Sequence, residues 1–201
     1  MKCYEFKDIP KKYNNNFKEL NKLVEDYNPA KILINKFFPN LGIKEPIVVV
    51  HKPIGQEARF YKNKIFLNFA NDSKYLWLCL CHETAHILLR LINWENSGIY
   101  RRLKNNYKEE ILPKAKIGII YGVDQSCAIL IQAYCENILN IRPLRWKDWE
   151  STFRFMDVEE IGKILWPEWL KFIKKKDGLS ILDWIKKIEE KGLFKKVKFS
   201  K

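Results

Sequence analysis

His82, Glu83 and His86 stand in the order His-Glu-Thr-Ala-His inside the apolar stretch WLCLCHETAHILLRLI. Two histidines four residues apart on a helix lie one turn apart on one face, so two imidazoles can grip a single metal ion. A glutamate directly after the first histidine flanks such an ion without ligating it, and can take a proton from water held there. Zinc would draw that water's pKa toward neutrality, and Glu83 would pass the proton to a leaving amine. Three polar, titratable side chains in an apolar helix are costly unless they are paired or metal-bound. The competing reading is a partly exposed helix carrying two solvated histidines and a glutamate.

These residues need elements to hold them. Residues 1–46 read as a polar helical region, with Phe17, Leu20, Leu23, Val24 and Tyr27 at helical spacing and Pro29 and Pro39 as punctuation. Residues 47–51, IVVVH, form a β-branched run suited to a buried strand. A hairpin follows, with strands over 58–61 and 64–69 and Lys62-Asn63 at its turn. Asn71, Asp72 and Ser73 are helix-start residues for an apolar helix over 74–94, closed by Asn96-Ser97-Gly98. A second apolar helix spans 124–140 and stops before Pro143. Residues 144–201 read as two or three amphipathic helices. One begins near Pro167, and another at Ser180 with Asp183 completing a capping box. Trp146, Trp149, Trp166, Trp169 and Trp184 read as core anchors there, or alternatively as a protein-docking surface. The fold class is therefore α+β, with a small sheet packed on the HExxH helix. The expected organisation is a helical N-terminal region over 1–46, a metal-binding core over 47–143, and a helical C-terminal extension over 144–201 packed on that core.

A hairpin, ARFYKNKIFLNF, followed by a helix carrying CHETAHILL resembles the zincin metallopeptidases. The resemblance is closest to small intracellular ImmA/IrrE-type and minimal gluzincin proteins and covers about residues 47–140. It implies a zincin-like fold and a metallopeptidase holding one Zn²⁺ per chain, acting through a Glu-activated, metal-bound water. It implies that the second hairpin strand edges the cleft, so that Lys64, Ile65, Phe66, Leu67 and Asn68 would pair with extended substrate through their backbones. The substrate it implies is a peptide or protein, such as one particular regulator.

Catalytic zinc takes three protein ligands and a water. The third histidine of HExxHxxGxxH is missing, since Leu89 and Ile92 occupy the corresponding glycine and histidine positions and no histidine follows His86. His51 lies upstream on a strand and could serve as the third ligand only through an unusual topology. As in gluzincins, the third ligand is then an acidic residue from a second helix, and Glu136 is the choice. Gln125, Gln132, Glu136 and Asn140 fall within an arc of about 80° on an otherwise apolar helix. Glu136 with Asn140 is similar to the gluzincin ExxxD pattern, with Asn replacing Asp. Asp124, which also reads as a helix N-cap, and Glu109 or Glu110 are the rival ligands. A salt-bridged or surface-facing Glu136 is the alternative without metal. Tyr121 and Tyr134 are candidate donors to the developing oxyanion, with an arginine or His51 behind them. Each tyrosine also reads as ordinary core or rim.

The 201 residues, 47% hydrophobic and 30% charged, exclude a disordered, collagen-like or low-complexity chain. The first twenty residues hold no apolar signal region, and no run of about 18 apolar residues predicts a membrane span. Five cysteines, with no CxxC pair, sit mostly in apolar segments and read as reduced thiols of a cytoplasmic protein. The net charge of +13 reads first as a solvated lysine-rich surface. It also favours acidic partners, although Lys174-Lys175-Lys176 and Lys195-Lys196 match no nucleic-acid signature. The alternative function is accordingly a basic nucleic-acid-associated or protein-docking regulator whose metal site is structural or vestigial. Imidazole and carboxylate ligands also accept divalent ions other than zinc.

Overall fold

The computed structural model describes residues 3–39, 41–53, 58–107, 118–175 and 179–197. The chain divides after Leu91 into two units, 1–91 and 92–201. The elements of the N-terminal segment therefore share a unit with the HExxH helix, and Glu109, Glu110, Asp124 and Glu136 all fall in the second. Glu109 and Glu110 lie outside the described residues.

In the first unit, Tyr4–Lys7 forms strand β1, a strand within the segment that the sequence reading treats as helical. Two helices follow, α1 over Asn14–Asp26 and α2 over Pro29–Phe37, and the second is capped by the Asn28 side chain accepting from the Lys31 N–H. Ile47–His51 is β2 and matches the predicted run. The hairpin strands are β3, Arg59–Tyr61, and β4, Lys64–Leu67, joined by a turn in which Lys62 takes a positive φ of 55°. The four strands lie in the order β1-β2-β4-β3. β1 and β4 both pair parallel with β2, and β3 closes the sheet antiparallel to β4.

That order corrects one expectation. The segment Lys64–Asn68 is not a sheet edge. Lys64–Leu67 is paired on both sides, with Val49 opposite Ile65 from β2 and Phe60 opposite Ile65 from β3, while Asn68 lies beyond the strand. β3 is the edge strand on the hairpin side. The reason is the turn at Lys62-Asn63: β3, the next strand in the chain after β2, takes the outer position, and the turn returns the more apolar β4 between β3 and β2.

The HExxH helix is α3, Ser73–Leu91. Asp72 caps it, its Oδ1 accepting from the Tyr75 N–H at 3.0 Å. The chain leaves it through Asn93 in the left-handed region at φ 58°. It is buried almost all round, as a helix without a polar face must be. β3 and β4 pack on it, as do α1 and α2. Trp77 donates from Nε1 to the Tyr27 carbonyl, and Ser73 donates to Glu19. Asn16 holds the loop between β4 and α3 through the carbonyls of Phe69 and Asn71.

The second unit is helical, with α4 over Gly98–Asn106, α5 over Ile119–Ile138, α6 over Trp146–Phe155, α7 over Glu159–Lys174 and α8 over Ile181–Glu190. Helix α5 starts a turn earlier than the sequence suggests, so Asp124 lies inside it and is not its N-cap. Helix α7 begins well before Pro167, which sits in its interior. Proline removes one amide donor there, but the buried stripe of Ile161, Leu165, Trp166, Trp169 and Phe172 carries the helix through. The capping box at Ser180 and Asp183 forms as expected. Trp149, Trp166, Trp169 and Trp184 are buried in this unit, with Trp146 half-buried against Trp166.

Candidate functional site

Helical spacing brings His82 and His86 together on one face of α3. Their Nε2 atoms are 3.3 Å apart, with the rings inclined at 72°. Two nitrogens, each about 2.0–2.1 Å from one ion at a tetrahedral angle, lie about 3.3–3.4 Å apart, so the pair fits a shared metal ion. The same separation also serves an N–H···N bond between the rings. His86 is buried and His82 half-buried. One face of the His86 environment is set by β3: Phe60 stacks on the imidazole at 5.1 Å between centroids, nearly parallel at 9°. Arg90, one turn further along α3, holds its guanidinium 4.6 Å from the same Phe60 ring.

Glu83 is 7% exposed, and burial pushes its carboxyl up to about 7, with His86 pulling the other way. Desolvation disfavours the charged carboxylate, and the neighbouring imidazole favours it. A carboxyl poised near neutrality can both accept and return a proton. Thr84, the next residue, is fully buried and shares a 2.8 Å hydrogen bond with the Tyr4 hydroxyl of β1. Tyr4 thus ties the motif's own turn to the sheet. Sequence reasoning missed this residue because β1 exists only through its pairing with β2. Burial raises the Tyr4 hydroxyl well above the ordinary tyrosine value, which keeps it a neutral partner for Thr84.

His51 sits at the end of β2. Its Nδ1 accepts from the Phe69 N–H at 3.3 Å, and its ring packs near Tyr13 and Phe69. It closes the end of β2 onto the segment leading to α3.

In the second unit, Glu136 is fully buried on α5. Its Oε1 accepts from Gln132 at 2.8 Å, and its Oε2 lies 3.1 Å from Arg142 Nε. Burial raises its pKa, while Arg142 and then Gln132 oppose the rise. Arg142 in turn lies over Trp149 and donates to Thr152. The polar stripe read from the sequence thus ends in an ion pair between α5 and Arg142 of the segment that leads to α6. Asn140 does not extend that stripe: α5 ends at Ile138, and Asn140 turns the chain in the left-handed region at φ 54°.

Tyr121 is 49% exposed in the first turn of α5, and Tyr134 is half-buried with its hydroxyl raised by burial. Thirteen residues of helix separate them by about 20 Å, so the two hydroxyls cannot serve one reacting centre. Tyr134 is also two residues from Glu136, about 200° around the helix. Among the described residues, no three His, Cys, Asp or Glu side chains are gathered as a metal-binding group. The five cysteines are free thiols.

No family model, no curated protein and no solved structure matches this chain.

Proposed function

We propose that the chain is a zinc-dependent peptide hydrolase in which His82 and His86 hold the ion and Glu83 is the general base and acid. The 3.3 Å approach of the two Nε2 atoms carries this reading. When bound, the ion supplies Lewis acidity to a carbonyl and acidity to a water. Glu83 takes a proton as a water oxygen attacks the scissile carbonyl carbon. It returns that proton to the amine nitrogen as the C–N bond breaks. The buried setting of Glu83 supports this work, because a carboxyl near neutrality does both at similar cost. Phe60, stacked on His86, fixes the imidazole plane. The edge strand β3, with β4 paired to its other side, offers backbone groups to an extended substrate, in place of the inner strand Lys64–Leu67.

The test is the zinc content of purified protein beside its peptide hydrolysis. Wild type and Glu83→Gln should hold about one zinc per chain, as a site with a single tetrahedral ion requires. His86→Ala should lose it. Hydrolysis of an unfolded protein such as casein should persist only in the wild type, with Glu83→Gln slowed about 10²–10⁴-fold. A wild type that takes up no zinc when zinc is supplied would overturn the reading.

A further inference from the structure

A cavity of about 690 Å³ opens in the first unit beyond the histidine pair, at the C-terminal end of α3. Its size is that of a small-molecule site. Its lining divides by chemistry. Ile43, Ile47 and Ile87 give it a buried apolar floor, and Leu91, half-exposed, continues that surface outward. Among the described residues, its rim carries Lys44, Lys62 and Arg90 against the carboxylate of Glu45, a local balance of three positive charges to one negative. None of the three cations forms an ion pair with a carboxylate among the described residues. Arg90 is held in place by its contact with Phe60, which leaves its planar N–H fork available to an anion.

An apolar floor selects a hydrocarbon body, and a rim of cations with no carboxylate partner among the described residues selects an anionic head. We propose that this cavity binds a small amphipathic carboxylate, with its hydrocarbon on the isoleucines and its carboxylate at Arg90 and the lysines. The chemistry is shared by a fatty carboxylate and by the C-terminal residue of an apolar-ended peptide. The proposal does not rest on the hydrolase reading, because no metal ligand lines the cavity.

Calorimetric titration of the full chain with decanoate, below its micellar concentration, tests it. Saturable one-to-one binding is expected, at least tenfold tighter than for decanol. Affinity should rise about fourfold per added methylene from octanoate to decanoate. Lys44→Glu/Lys62→Glu and Leu91→Asp should each weaken decanoate at least tenfold. All three positions are exposed, so these variants should keep the wild-type circular dichroism and melting curve, which are recorded alongside. An acetylated peptide ending in free leucine is titrated next to its amide-capped twin. Tighter binding of the free acid than of decanoate makes the ligand a peptide terminus, and weaker binding makes it a fatty carboxylate. Equal binding of decanoate and decanol, unchanged affinity in both folded variants, or no saturation would each overturn the proposal.

Discussion

Glu83 combines two properties that a sequence motif does not convey together: it is adjacent to a histidine pair, and it is almost fully out of water. Its raised pKa has a consequence for stability that can be read on metal-free protein. Between the ordinary carboxyl value and about 7, the folded state holds a proton that the unfolded state has released. Stability must therefore fall as pH rises through that window, by roughly 3 kcal/mol once Glu83 is fully ionised. Denaturant unfolding of the metal-free chain at pH 5 and pH 8 should show the fall, and Glu83→Gln should flatten it. A Glu83→Gln variant with the same pH slope as wild type would assign the effect elsewhere. The histidine spacing and the position of Glu83 were legible in the sequence because both follow from helical periodicity alone. The stacking of Phe60 on His86 was not, since it depends on which hairpin strand comes to lie at the edge.

Two interfaces between elements make sharp demands on single residues. In the second unit, Gly162 of α7 lies against the buried Phe153 ring of α6, and a Cβ there would sit 2.3 Å from a ring carbon. Gly162→Ala should destabilise by about 1–3 kcal/mol despite alanine's better helix propensity, because the ring is enclosed and cannot withdraw. Chemical denaturation measures it, and a neutral result would show that α6 moves freely. In the first unit, Tyr4→Phe removes one partner of the buried bond to Thr84 and leaves the other unsatisfied. That costs about 1–3 kcal/mol. If Tyr4 also positions the motif, hydrolysis should slow while zinc content is kept. The amphipathic periods that placed α1, α8 and the hairpin were readable from sequence. Strand β1, the continuation of α7 through Pro167 and the early start of α5 were not. In each case packing outweighed a local signal: four residues too few to announce a strand, a proline that elsewhere starts a helix, and an aspartate that elsewhere caps one.

At the scale of the whole molecule, the division after Leu91 places His82 and His86 in one unit and Glu136 in the other. A measurement on the intact chain is what relates them. Glu136 is the buried partner of the partly exposed Arg142, so Glu136→Ala should cost about 1–3 kcal/mol through the lost ion-pair partner and the lost volume. Glu136→Gln, which keeps the shape and the contact with Gln132, is the milder variant for the zinc assay. Zinc lost from it assigns Glu136 as the third ligand, and zinc kept leaves Glu136 as an internal ion-pair partner. Among the described residues, no helix is long and apolar enough to cross a membrane, including the two longest, α3 and α5.

The sequence by itself determined what depends on neighbours in the chain. The α+β class followed from periodicity, the histidine pair from the 3.6-residue turn, and the capping box from Ser180 and Asp183. Residues distant in sequence were beyond its reach. Only the tertiary structure decided that β4 lies inside the sheet and β3 at its edge, that Tyr4 braces Thr84, that Glu136 faces Arg142, and that an apolar cavity with a cationic rim closes over the end of α3. Each of these depends on long-range packing, where burial and non-local pairing outweigh local propensity.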